Sequence, residues 1–370
     1  MSERFSLKDH LFNADTIGQL ASEYARVDGF DADRFQAEAL SGFETRELLE
    51  RLDWIADCVE AQLAPDFPTM VMQLRAAMNP PLDPKLTDDD FGQFIHAVPG
   101  ILAVRHGLED HRELALDLLE EATQRFSMEF YIRPFLNRWP AETMARLPDW
   151  VGHSNYHVRR LVSEGTRPRL PWAANISMGV TEAMPLLDVL HADPTRYVTR
   201  SVANHLNDIS KKEADAVLEM LAAWKRAGRQ DAKELDWMTR HALRTLIKQG
   251  HAGAMEALGY RPDADVVVER FSCSPSVMRG EAAEIDLTLS AGTRTPVLID
   301  YIIHFRKAKG ELAPKVFKWK QAVVDGKPLV LSKKHRFKAD ATTFTLHAGL
   351  HRIELQVNGR VIGSQDFELI

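Results

Sequence analysis

Residues 157–172 read HVRRLVSEGTRPRLPW: Arg160 and Glu164 stand four apart, Arg159, Arg167 and Arg169 crowd around them, and Trp172 closes the run. Upstream, SMEFYIRPFLNRW sets Glu129 and Arg133 four apart. Downstream, RYVTRSVANHLNDISK places Arg200, Asn204 and Asp208 at i, i+4 and i+8. Such spacings share one face of a helix, so three neighbouring segments each offer an arginine and a carboxylate on one polar stripe. Singly, each is a surface ion pair worth about 0.2–0.5 kcal/mol. Converging, they could do chemistry. Arginines along a groove suit phosphates, held by two parallel hydrogen bonds. Carboxylates in a phosphate-binding groove are costly unless used, and one use is to stabilise a developing sugar cation and place a water, the electrostatic logic of glycosidic cleavage. Trp172 could lie against a cationic base or a sugar face, although loop packing is the commoner fate of a lone tryptophan.

The elements that must carry these residues are helices. Val158, Leu161 and Val162 give the 157–165 segment one apolar stripe, and Gly165 is expected to break it. Arg167, Arg169 and Trp172 would then leave the helix and cross the groove, stiffened by Pro168 and Pro171. HVRRLVSEG (157–165), YVTRSVANH (197–205) and WMTRHALRT (237–245) align at a 40-residue offset. Val158, Val198 and Met238 match, as do Val162, Val202 and Ala242, and Arg160, Arg200 and Arg240. One repeat earlier, LDLLEEATQ keeps Leu118 and Ala122 in phase but has Glu120 at the arginine position. Chance similarity of amphipathic helices explains the apolar matches more easily than the arginine. A helical period near 40 indicates HEAT-like repeats stacked into a solenoid with a concave face.

At 370 residues the chain is long for one core. Residues 1–262 read as helix after helix, for example TIGQLASEYARV, ETRELLERLDWIADCVEAQL and HRELALDLLEEATQRF, with Asn79-Pro80-Pro81 and Leu147-Pro148 as breaks. From Val266 the pattern turns to short alternating strands with turns at Asp325-Gly326 and Asn358-Gly359. The fold expected is therefore mostly α, a HEAT-like helical solenoid over 1–262, followed by an all-β, immunoglobulin-like sandwich over 263–370.

Composition is that of a folded soluble protein, 45% apolar and 27% charged. No apolar run suits a membrane span, MSERFSLKDHLF is too polar for a signal peptide, and Cys58 and Cys273 stand far apart; a reducing bacterial cytoplasm is expected. The net charge of −7 is uneven: residues 1–130 carry 11 Lys+Arg against 26 Asp+Glu, whereas 131–212 carry 11 against 7. A locally positive surface is compatible with an acidic whole. In the β region, RKAKGELAPKVFKWK (306–320) and KKHRFK (333–338) interleave basic and aromatic residues, and 266–370 hold 16 Lys+Arg against 11 Asp+Glu. A second DNA contact and a charged edge that deters strand aggregation explain this comparably well. His153 and His157 stand four apart without a third metal ligand, so capping or core packing is the preferred role. Asp88-Asp89-Asp90 suggests an exposed helix start. No GxGxxG, Walker A loop or GxSxG occurs, and no metal or cofactor is expected.

The chain resembles the AlkC-type alkylpurine DNA glycosylases of the AlkC/AlkD superfamily. FSLKDHLFN, MEFYIRPFL, HVRRLVSEGTRPRLPW and SVANHLNDISK carry the resemblance, which covers residues 1 to about 260; Met128 and Tyr131 depart from the small or apolar residues expected in the second motif. The β region resembles the immunoglobulin-like extension of one AlkC subgroup. The resemblance implies a monomeric repair enzyme that holds alkylated double-stranded DNA and hydrolyses the N-glycosidic bond of cationic bases such as 3-methyladenine and 3-methylcytosine. It implies catalytic roles for Glu129, Glu164 and Asp208, a place near the lesion for Trp172, and DNA contacts for Arg133, Arg160, Arg167, Arg169, Arg200 and Asn204. The alternative from a different class is a non-catalytic HEAT-repeat scaffold binding DNA or protein.

Overall fold

The computed structural model describes residues 6–86, 91–339 and 344–370. Its helices are α1 (Leu7–Leu11), α2 (Ala14–Tyr24), α3 (Ala32–Ser41), α4 (Leu48–Glu60), α5 (Phe67–Ala77), α6 (Val98–Leu102), α7 (Arg112–Ala122), α8 (Ile132–Arg138), α9 (Pro140–Val151), α10 (Tyr156–Gly165), α11 (Met184–Leu190), α12 (Arg196–Ile209), α13 (Ala214–Ala227), α14 (Ala232–Ala242), α15 (Arg244–Lys248) and α16 (Ala252–Ala257). The strands are β1 (Val266–Cys273), β2 (Ser276–Val277), β3 (Ala282–Ala291), β4 (Thr295–Arg306), β5 (Leu312–Val324), β6 (Leu329–Arg336), β7 (Gly349–Val357) and β8 (Arg360–Leu369). No described helix is long and apolar enough to cross a membrane. The Asp88-Asp89-Asp90 helix start lies outside the described residues.

Two compact units result: the described residues through Glu213 with Ala223–Ala242, and Ala214–Ala222 with Leu243–Ile370. In the first, α10, α12 and α14 pack side by side, while α9 and α11 pack on each other and on α10. This two-layer stacking is the HEAT-like arrangement read from the 40-residue period. The in-register apolar positions explain it. Val158, Val198, Met238, Val162, Val202 and Ala242 are all fully buried, so each repeat presents the same stripe to its neighbour. Burying a valine stabilises by about 1.5–3 kcal/mol, and a charge at Val198 would break the α10–α12 seam. Side-chain caps set helix starts at Asn13, Asp31, Asp66 and Asn155.

One of two breaker expectations needs correction. Leu147-Pro148 does not end a helix: α9 runs to Val151 with Pro148 inside it. Leu147 and Trp150 are buried on either side, and tertiary packing outweighs the lost backbone bond. The break expected at Gly165 is present: it is the last residue of α10. A Cβ there would stand 2.5 Å from Ile132 Cγ2, so glycine is required by the close approach of α8.

The second unit contains a sandwich of a three-stranded sheet, β1-β3-β6, and a five-stranded sheet, β2-β8-β7-β4-β5. All pairings are antiparallel except β2 with β8. Ile285, Leu287, Leu289, Ile299, Ile303, Ile353 and Leu355 fill the space between the sheets. β4 is buried on both faces because Leu298, on its outer side, packs against Met255 and Tyr260 of the α16 region. There Gly250 meets Gly359 backbone to backbone; a Cβ on Gly250 would lie 2.3 Å from the Gly359 carbonyl oxygen. Asn358 and Gly359, at φ 48° and 82°, form the tight turn from β7 to β8.

Candidate active site

The structure brings Glu129, Glu164 and Asp208 into one ion-pair chain. Arg160 Nη1 donates to Glu129 Oε2 at 2.5 Å and to Ser127 Oγ at 2.6 Å. Its other terminal nitrogen lies 3.7 Å from Glu164. Arg167 Nη1 donates to Glu164 Oε1 at 2.5 Å, and Arg167 Nε and Nη2 donate to Asp208 Oδ2 at 3.0 and 2.9 Å. Lys211 adds a donor to Asp208 at 2.9 Å, and Ser201 Oγ donates to Glu164 at 2.6 Å. Charge alternates along the chain, so three largely buried carboxylates are each compensated, as burial demands.

Local structure makes this possible. Asn155 caps α10 by accepting from the His157 N–H at 2.8 Å, and this start sets Arg160 and Glu164 on consecutive turns. Asp208 comes from α12, the next repeat, and Arg167 bridges 41 residues of sequence to reach it. Burial works against ionisation of Glu164, but Arg160, Arg167 and the Ser201 hydroxyl hold its pKa below the ordinary carboxylate range. Burial also works against the Arg160 cation, and Glu129 and Glu164 outweigh it, so Arg160 stays firmly protonated.

An open hollow of about 360 Å³ lies against this chain. Glu129, Arg160, Glu164, Arg167 and Arg200 line one part of it, and Phe91, Phe94, Phe126 and Phe130 another, with Tyr197 and Trp172 completing the rim. Trp172 is 65% exposed and held at φ 65°, an uncommon conformation for a bulky residue. Asp208 does not line the hollow; Arg167 stands between.

Several sequence expectations change. Glu129 and Arg133 share no helical stripe, because Glu129 precedes α8. Arg133 is 0% exposed and cannot reach a bound strand. Its guanidinium donates to the carbonyls of Gly165, Arg167 and Ala174, shaping the loop that carries Arg167 and Trp172. Burial pushes its pKa down to about 10. Arg160 and Arg167, expected on phosphates, spend donors on the carboxylates; Arg167 folds back instead of crossing the groove. Arg169 is exposed. Asn204 takes a 2.7 Å hydrogen bond with His241 Nε2. His153 Nδ1 accepts from the Asn155 N–H, and His157 packs against Tyr156 and Tyr197, so neither faces a common ligand.

Sequence reasoning missed the phenylalanine wall, Ser127, Ser201 and Tyr197. The aligned repeats held a signal for the last: His157, Tyr197 and Trp237 occupy one repeat position, each an aromatic ring.

Residues 267–370 match the model of the family described as "Uncharacterised protein YhaZ, C-terminal Ig-like domain". Uncharacterized protein YhaZ of Bacillus subtilis (strain 168) is 34% identical over 263 residues, 70% of this chain and 72% of that protein. The solved structure of Pseudomonas fluorescens alkylpurine DNA glycosylase AlkC, bound to DNA containing an abasic site analog, superposes with a TM-score of 0.85 at 30% identity, covering 99% of this chain and 100% of that one.

Proposed function

This chain belongs to the AlkC family, and from that premise we propose that it is a DNA glycosylase releasing cationic methylated bases, such as 3-methyladenine and 3-methylcytosine, from double-stranded DNA. One observation carries the reading: two carboxylates fixed by arginine counter-ions, Glu129 and Glu164, line an open hollow rimmed by an exposed tryptophan, with Asp208 one guanidinium behind them.

The C1′–N bond breaks with its electron pair leaving on the base, which neutralises the base's own positive charge. Little acid assistance is needed. The positive charge passes to the sugar, and Glu129 and Glu164 stabilise it because their dipolar surroundings are fixed before the reaction. Arg167, turning toward an entering phosphate, uncovers Asp208 as the third carboxylate. Water adds at C1′ and gives up its proton to a carboxylate, leaving an abasic sugar. Trp172 lies near the cationic base, and Arg169, Arg200 and Asn204 contact the strand. Arg160 and Arg167 fix the carboxylates in the free protein.

A second DNA contact is proposed at the β-domain edges. Lys315, Lys318 and Lys320 of β5 and Lys334 and Arg336 of β6 are exposed on the edge strands of the two sheets. The working form is a cytoplasmic monomer. The test is base release from alkylated duplex by purified protein, resolved by chromatography. Release by wild type, lost in Glu164→Gln, is expected; no release by wild type, or full release by that variant, overturns the reading.

A further inference from the structure

We propose that Tyr197 is a positioning residue that acts through Arg160, its ring pinning the guanidinium so that Glu129 and Glu164 share one fixed counter-ion; this rests on the glycosylase reading. Arg160 Cζ lies 4.5 Å from the Tyr197 ring centroid, and Arg200 Cζ lies 5.9 Å from it. Tyr197 is 5% exposed and borders the hollow. The ring is itself held edge-on by Tyr156 at 5.9 Å and by His157 at 5.5 Å. Its buried hydroxyl has no hydrogen-bond partner among the described residues. A buried hydroxyl that bonds to nothing is a cost. What the site uses is therefore the ring face.

The division of labour follows from geometry. The edge of the Arg160 guanidinium serves Ser127 and Glu129, and Glu164 stands 3.7 Å away. The Arg160 Cζ sits over the Tyr197 ring at 4.5 Å from the centroid, a weak but directional attraction that strengthens where water is excluded. Without it, Arg160 keeps its partners but loses the constraint that holds it between two carboxylates. Burial keeps the phenol neutral, with Glu129 and Glu164 acting in the same direction against Arg160, so no charge of its own disturbs the chain.

The consequence is specific. Charged or titratable groups facing Glu164 are Arg160 on its own helix, Arg167 on the next loop, Arg133 on α8, and His205 and Asp208 on α12. Only Arg160 is touched by the ring. Loosening it should raise the pKa of Glu164 and shift the acid limb of turnover to higher pH.

The experiment compares wild type, Tyr197→Phe and Tyr197→Met by single-turnover base release against pH, with DNA affinity and thermal melting measured alongside. Tyr197→Phe, which keeps the ring and removes the unpartnered hydroxyl, is expected to match wild type. Tyr197→Met, apolar and without a ring, is expected to lose about tenfold in turnover with affinity little changed, and its acid limb should move upward. If Tyr197→Met is poorly folded, Arg160→Lys in a chain with Tyr197 intact, keeping the charge without the planar face, is expected to give the same upward limb. A wild-type profile in Tyr197→Met, or equal losses in Tyr197→Phe and Tyr197→Met, overturns the proposal. Failure of wild type to release base overturns the glycosylase reading instead.

Discussion

Arg167 and Asp208 are joined by two donors on one oxygen, Nε at 3.0 Å and Nη2 at 2.9 Å, across the boundary between two helical repeats. The bond ties the loop after α10 to α12. Asp208→Asn preserves shape and removes the charge, leaving Arg167 with Glu164 alone. Turnover is expected to fall by about a hundredfold, the scale of losing one preorganised electrostatic group, while DNA affinity changes little. Single-turnover base release measured beside equilibrium binding checks it. Equal losses in both would assign Asp208 to binding.

Acid stability should reflect buried histidines, His157 and His205 foremost. Burial, with Arg160 adjacent, lowers the pKa of His157 to about 4; burial, with Arg167 adjacent, does the same for His205. Both folded values lie below the ordinary value near 6.5. The unfolded chain therefore binds more protons below that value, and the stability is present above about pH 6.5 and lost as pH falls toward about 4. The lowered Glu164 adds a loss at still lower pH, as it falls through that carboxylate's depressed value. Melting temperature measured against pH should be flat above neutrality and decline across that window, less steeply in His157→Phe. A decline confined below pH 4 would contradict it.

Arg133 and Arg169 should behave oppositely. Arg133→Met removes the donor from one buried carbonyl, that of Gly165, and from the partly buried carbonyls of Arg167 and Ala174; the buried one alone costs about 1–3 kcal/mol, and the change should lower the melting temperature without changing the salt slope of DNA binding. Arg169→Ala should leave melting intact and reduce that slope by about 0.9, the loss of one phosphate contact. Swapped outcomes would restore Arg133 as the DNA contact. The same titration on damaged and undamaged duplex separates an enzyme from a scaffold, since pure phosphate binding weakens equally on both.

The α16 region should be needed by the sandwich. A fragment spanning 243–370 is expected to melt higher than 266–370, because the shorter one uncovers Leu298. In the full chain, Gly250→Ala brings a Cβ to 2.3 Å from the Gly359 carbonyl at a left-handed φ of 73° and should destabilise by about 2 kcal/mol or more. Equal melting of the two fragments would show the helices to be dispensable. Deleting 266–370 from the whole chain should weaken DNA binding if the β5 and β6 lysines contact DNA.

The 40-residue period made the repeat stacking legible, because burial obeys it residue by residue, from Val158 to Val198 to Met238. The carboxylates were legible as a set. Their partners were not: helical spacing coupled Glu129 to Arg133, while the fold couples Glu129, in the turn before α8, to Arg160 of α10. Spacing describes one helix face and is silent on which carbonyls a loop presents, and three such carbonyls captured Arg133. Pro148 misled for a related reason. Local propensity marks where a helix is weak, and packing by Leu147 and Trp150 decided the outcome.

Glu129 lies 31 residues from Arg160, and Arg167 lies 41 from Asp208. A chain emerging from the ribosome presents these groups in order, Glu129 first and Asp208 last. The Arg160 pair can close while α12 is still unmade; Arg167 has only Glu164 until the next repeat arrives. The carboxylate chain is thus complete only in a protein whose three successive repeats have all been synthesised and docked. A chain terminated before α12 carries the Glu129–Arg160–Glu164–Arg167 part of the alternation and lacks its Asp208 end.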